Sequence, residues 1–152
     1  FLDNLPEQRK VHVVHGDYGL HNCLIGPNST VAAVVDWEIS TLGDPLADLA
    51  YALNSFPDPE DEVPIAPDAA TNVTGMPTRS DLIQRYAKRT GRDISNIDYY
   101  YGFNRWKSAC IVHGVYARYM LGNKSSEGVD LEHMRTRIEA ALTLAAQAVN
   151  RI

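Results

Sequence analysis

Asp17, Asn22 and Asp36 are the side chains whose types and spacing best fit chemistry, within the stretch HGDYGLHNCLIGPNSTVAAVVDWEISTLGDPLAD over 15–48. Asp17 precedes a hairpin, Asn22 opens its first strand, and Asp36 ends its second. The ends of a hairpin lie together, so Asn22 and Asp36 are expected side by side at one mouth. Two carboxylates and a carboxamide from separate segments are hard oxygen ligands, the set that suits Mg²⁺ with a phosphate-bearing substrate. Each residue alone has a plainer reading. A loop Asp is usually a cap or turn residue, His15 a packing residue, His21 an exposed loop residue and Asp48 a structural one. It is the group at this spacing that points to chemistry.

The elements that must position these residues come first in the chain. VHVVH (11–15), CLIG (23–26) and VAAVVDW (31–37) read as strands, and Pro27-Asn28-Ser29 as the turn of a hairpin over 23–36. Gly43-Asp44-Pro45 breaks the chain. Leu46, Leu49, Ala50 and Leu53 then recur at helical spacing, with Asp44 placed to cap and Pro45 in the first turn. Residues 55–77 are Pro-rich and carry Asp58, Glu60, Asp61 and Glu62, which predicts a long solvated surface loop. Ser80 is expected to cap a helix running to Arg89, with Gly91 ending it. Ile97, Tyr100, Phe103, Cys110, Ile111 and Val115 predict the buried face of a longer helix to about 121. Leu131, Met134, Ile138, Leu142, Ala145 and Val149 predict a last one. Trp37 and Cys23 are expected in the core, and Tyr99, Tyr100, Tyr101, Phe103 and Trp106 in helix packing. The fold class is α+β, mostly helical, in a single domain over 1–152.

Composition narrows the function. The chain has 152 residues, an apolar fraction of 45% and a charged fraction of 22%, as an ordinary globular domain has. Lys and Arg number 14 against 19 Asp and Glu, and no basic stripe appears, which argues against a nucleic-acid partner. No apolar run approaches the roughly 18 residues of a membrane helix, and the start FLDNLPEQRK does not read as a signal peptide. Two distant cysteines, Cys23 and Cys110, suit a reducing compartment, so the expected location is cytoplasmic.

His15-Gly16-Asp17 followed by Asn22 matches the H-x-D-x-x-x-x-N loop of kinases, and Asp36-Trp37-Glu38 falls where those enzymes carry their Asp-Phe-Gly element. With Gly after His15 and the run GDPLADLA (43–50), the chain resembles the aminoglycoside phosphotransferase family. DWEISTLGDPLADLAY resembles the branch associated with acyl-CoA dehydrogenases. The resemblance implies the C-terminal lobe of a protein-kinase-like fold whose β-hairpin carries the catalytic loop, using ATP and Mg²⁺. It implies Asp17 as the catalytic base or orienter, Asn22 and Asp36 as metal and nucleotide-phosphate ligands, His15 as structural support, and Asp48 as the brace of the loop amides. The implied partner is a small-molecule hydroxyl acceptor. The acyl-CoA dehydrogenase link favours a hydroxylated acyl or other small metabolite over an antibiotic.

The glycine-rich loop and strand lysine of such enzymes are not found. Lys10 lies too close to the loop, and Lys88, Lys107 and Lys124 fall in the helical half. The expectation is a fragment, inactive alone, that partners an N-terminal lobe of the same protein, with a homo-oligomer or swapped dimer as a consequence of exposed apolar surface. For the acceptor site, Asp58 to Glu62 offer acidity towards a polycation, while Arg105, Lys107, His113 and Arg118 offer positive charge towards an acidic or acyl-CoA-like molecule. Two competing readings are a metal-dependent phosphoesterase using His15, Asp17, His21 and Asp36, and a non-catalytic kinase-like binding or assembly module. Asn22 favours the kinase over the esterase, because a carboxamide is an odd ligand for a two-metal hydrolase.

Overall fold

Among the described residues, short strands and tight turns come first in the chain and four α-helices follow. The computed structural model describes residues 1–7, 11–64 and 71–152. Lys10 and the 65–70 part of the expected loop lie outside the described residues. Strand β1 (His12–Val14) pairs antiparallel with β4 (Thr41–Gly43), and β2 (Cys23–Ile25) pairs antiparallel with β3 (Val31–Val34). The hairpin expected over 23–36 is present, turning through Gly26–Thr30 with a bulge between Leu24 and Ile25. Strand β4 is an addition to the sequence reading. Only three residues long, it shows no alternation that separates it from the break at Gly43.

Helix α1 (Pro45–Ala52) starts where expected: Asp44 accepts from the Leu46 N–H at 2.9 Å and Pro45 fills the first turn. Helix α2 (Arg79–Thr90) is capped by Thr78, not Ser80, in a reciprocal box with Asp81, and ends on Gly91 at φ 66°. Ser80 is instead held by Asp58, which accepts from its N–H at 2.8 Å and its hydroxyl at 2.6 Å. The acidic run is therefore partly structural. Asp61 forms a bidentate pair with Arg79, and the two side chains are only 5% and 6% exposed.

Helices α3 (Ile97–Met120) and α4 (Leu131–Val149) pack along each other and form the largest helix–helix contact. They come close at Gly102, where a Cβ would stand 3.2 Å from Ala148 Cβ and 3.3 Å from the Ala145 carbonyl. This crossing sets the rotation of α3. Its buried residues are Ile97, Tyr99, Tyr101, Gly102, Asn104, Arg105 and Ala109, while Cys110 and Ile111 of the expected face are exposed. In α4 the buried residues are Ile138, Leu144, Ala145 and Ala148, and Leu142 turns outward. The core joins Leu46 and Ala50 of α1 to Ile97, Tyr101 and Ala148. Trp37 is exposed, against expectation, because it covers the His15 ring from outside. Val13, Leu24, Ile25, Val31 and Leu42 leave the outer sides of the ribbons apolar and open. Among the described residues no helix is long and apolar enough to cross a membrane.

Candidate functional site

The loop from 15 to 22 is pinned from both sides. Asp48, in the first turn of α1, accepts the His15 N–H at 2.6 Å and the Gly16 N–H at 2.9 Å. Gly16 sits at φ +85°, where an added Cβ would stand 3.0 Å from the Ile39 carbonyl, so the turn needs glycine. The His15 ring is buried. Its Nδ1 accepts from the Asp17 N–H at 3.3 Å, which leaves Nε2 as the donor to the Val35 carbonyl at 2.8 Å. One imidazole thus ties the loop to the end of β3.

Asp17 projects from this frame with its side chain 29% exposed. The Asn22 amide donates to the Asp17 carbonyl at 2.9 Å and to its carboxylate at 3.3 Å. His21 lies 3.4 Å from the same carboxylate, and Tyr51 on α1 hydrogen-bonds it. Partial burial pushes the Asp17 carboxyl up, but hydrogen bonds from Tyr51, His21 and Asn22 and the charge of His21 outweigh it, so the net shift is down. Burial, followed by the bond to Asp17 and its charge, pushes the Tyr51 hydroxyl up to about 12. Lys107 of α3 stands over the Tyr51 ring at 4.8 Å and reaches the Gly16 carbonyl at 3.4 Å.

Asn22 joins the hairpin mouth by its main chain. The Asn22 carbonyl accepts from the Val35 N–H at 2.9 Å, which places Asp36 one residue beyond the pairing. Asp36 is exposed and holds a positive φ of 68°, a conformation a non-glycine residue rarely adopts. Among the described residues no three His, Cys, Asp or Glu side chains cluster as metal ligands. A carboxylate and an amide oxygen with phosphates completing the shell is how Mg²⁺ is commonly held, and Asn22 with Asp36 fits that donor set.

Beside the loop opens a cavity of about 1030 Å³. Tyr18 and His21 from the loop, Tyr51 and Asn54 from α1 and the turn after it, and Arg105 and Ser108 from α3 face it, with α4 opposite. The sequence groups Arg105 with Lys107, His113 and Arg118 as cations that could meet an acidic or acyl-CoA-like acceptor. Arg105 is buried on the cavity wall, and Lys107 touches the loop. Tyr51 was missed; at helical spacing it reads as one more packing aromatic.

Residues 1–82 match the model of the phosphotransferase enzyme family, APH. The chain is 35% identical over 130 residues to human acyl-CoA dehydrogenase family member 11, covering 83% of this chain and 17% of that protein. It is 38% identical over 128 residues to mouse acyl-CoA dehydrogenase family member 10, covering 81% and 12%. The chain thus spans less than a fifth of these relatives. A crystal structure from Ralstonia eutropha, provisionally described as an aminoglycoside phosphotransferase, superposes with a TM-score of 0.68 at 28% identity, covering 92% of this chain and 43% of that one. With the α+β fold and the braced 15–22 loop, these matches establish that the chain belongs to the APH phosphotransferase family.

Proposed function

We propose that this chain carries the acceptor-side chemistry of an ATP- and Mg²⁺-dependent transfer of a phosphoryl group to a hydroxyl of a small molecule. The observation that carries the reading is that Asn22 ties Asp17 to the strand end that leads into Asp36. Asn22 binds Asp17 by its side chain and the strand before Asp36 by its main chain. Asp17 accepts the acceptor's hydroxyl proton or orients that hydroxyl, and its depressed pKa keeps it ionised for that role. Asn22 and Asp36 would hold the Mg²⁺, which neutralises charge on the nucleotide phosphates when bound. His15 and Asp48 position the loop. The apolar outer sides of the ribbons, with Val13 and Leu42 about two-thirds exposed, suit an N-terminal lobe of the same protein.

The esterase reading needs His15 as a ligand, and both its ring nitrogens are engaged within the fold. Asp58 and Asp61, two of the four acids in the 58–62 run, are held by Ser80 and Arg79 and so are not free for a polycationic acceptor.

The test is hydroxyl-dependent ADP release by the full-length protein and by Asp17→Asn. Loss of about 10²–10⁴-fold in kcat with an unchanged thermal transition is expected. Full turnover by Asp17→Asn would sink the assignment.

A further inference from the structure

The peptide that joins Gly16 to Asp17 is held at both ends, from two different parts of the fold. Its N–H, on Asp17, donates to His15 Nδ1 at 3.3 Å, and its carbonyl, on Gly16, accepts from Lys107 Nζ at 3.4 Å. In a trans peptide these two groups point opposite ways, so the pair of bonds fixes the plane. Gly16, at φ +85° and without a Cβ, offers that plane little local resistance to rotation. Each bond is long and weak alone, and the N–H bond by itself would leave the carbonyl end free to swing. Asp48 holds the preceding peptide, through the Gly16 N–H at 2.9 Å.

The same ammonium makes a second contact. It stands 4.8 Å from the centre of the Tyr51 ring, a cation over an aromatic face. The Tyr51 hydroxyl hydrogen-bonds the Asp17 carboxylate. Lys107 therefore touches both the main chain just before Asp17 and the ring that holds its side chain. Three N–H groups on one nitrogen let a single residue serve both. Lys107 is half-buried and comes from α3, the helix whose Arg105, Ser108 and Ala109 line the cavity. Lys107 itself does not line that cavity, so its contacts are directed at the loop and not at a molecule bound there.

We infer that Lys107 is a positioning residue for phosphoryl transfer. It locks the Gly16–Asp17 peptide against rotation and the Tyr51 ring against tilting, so that Asp17 faces the reacting hydroxyl in one orientation. The role takes both the charge and the donor of Lys107. A misplacement of about 1 Å at a reacting group can cost about 10²-fold in rate, so a weak lock at this point matters more to turnover than to stability. This rests on the phosphotransferase reading of Asp17 and adds to it the residue that couples α3 to the loop.

Lys107→Met keeps the stem and removes charge and donor. Lys107→Arg keeps both, and a guanidinium also stacks on an aromatic face. The lock is read first without any ligand, by hydrogen exchange and mass spectrometry on the full-length protein. Exchange over 15–17 is expected to quicken at least about fivefold in Lys107→Met, the scale of losing one charge-assisted bond, and to return to within about twofold of wild type in Lys107→Arg. Peptides from α2 and α4 should exchange as in the wild type. Turnover is then read as hydroxyl-dependent ADP release with ATP varied. In Lys107→Met, kcat is expected to fall about 10–100-fold with KM for ATP within about twofold, and Lys107→Arg should recover most of it. Unchanged loop exchange, unchanged kcat, no rescue by arginine, or faster exchange across α2 and α4 as well overturns the inference. If loop exchange responds as expected but Asp17→Asn turns over fully, the lock on the loop stands and the phosphotransferase reading falls. If Asp17→Asn loses turnover while Lys107→Met matches the wild type in exchange and kcat, that reading stands and the lock falls.

Discussion

The carboxylate of Asp48 accepts the main-chain N–H of His15 at 2.6 Å, across 33 residues of sequence, and so fastens the first turn of α1 to the loop that carries Asp17. The second oxygen takes the Gly16 N–H. One side chain thereby satisfies two amides that would otherwise face a half-buried turn unpaired.

Asp48→Ala removes both bonds. A loss of about 1.5–3 kcal/mol of stability is expected from bonds to a charged acceptor, measured by urea unfolding. Turnover should fall further than the folded fraction does, with kcat affected more than KM, because the loop loses its frame. A variant with unchanged kcat would show that the brace is structural only.

Tyr51→Phe tests the setting of the Asp17 carboxyl. The Tyr51 hydroxyl stabilises the ionised form, so its removal raises the Asp17 pKa. A base must be ionised to work, and the acid limb of the kcat/KM profile should therefore move to higher pH. A limb that stays put, or moves down, would contradict the arrangement. Tyr51 itself, held up near 12, does not titrate across neutral pH.

Gly16→Ala places a methyl group against the Ile39 carbonyl in a left-handed turn. A cost of about 1–3 kcal/mol is expected, with loss of activity out of proportion to it, since residue 16 directly precedes Asp17. Thermal melts paired with turnover check this. Gly114, in open space within α3, is the control position, where Ala should be tolerated.

Arg79→Ala strands Asp61 in a site where both side chains are almost wholly buried. A loss of about 3–5 kcal/mol is expected by chemical denaturation. Replacing both partners with apolar residues, Arg79→Met with Asp61→Leu, should recover much of it. Failure of that recovery would show that the Arg79 bond to Tyr101, 2.8 Å long, carries more of the stability than the ion pair does.

Asp58→Asn should cost stability at neutral pH and little in strong acid. Burial pushes the Asp58 carboxyl up, but its bonds from Ser80 and Glu60 and the charge of Arg79 bring it below its ordinary value. A group with a depressed folded-state pKa stabilises above its unfolded value, about 3.9, and the gain fades as pH falls through the folded value. Unfolding midpoints of the two proteins should therefore converge on acidification. A constant gap would contradict the assignment.

The elements were legible where local chemistry set them. Asp44 and Pro45 announced α1, Gly91 ended α2, and the turn at 27–29 marked the hairpin. The rotation of α3 was not, because it follows from Gly102 meeting Ala148, a long-range fit invisible in apolar spacing. That rotation buried Arg105 and exposed Ile111. His15, Asp17, Asn22 and Asp48 converge chiefly through bonds that join a side chain to a main-chain group. Tyr51 stayed hidden because its meaning depends on which helix face the loop approaches. Thr78 displaced Ser80 as a cap because Asp81 stands three residues on and completes the box.

The pairing of β1 with β4 has a consequence for the order of assembly. The β2–β3 hairpin closes over a few residues, whereas β1 finds β4 only across the whole of that hairpin. Chain closure over the longer span carries the larger entropic cost, so the hairpin forms early and the outer ribbon late. The 15–22 loop lies between the two, and its shape depends on both. The position of Asp17 thus depends on a long-range strand pairing as well as on a hairpin that closes locally.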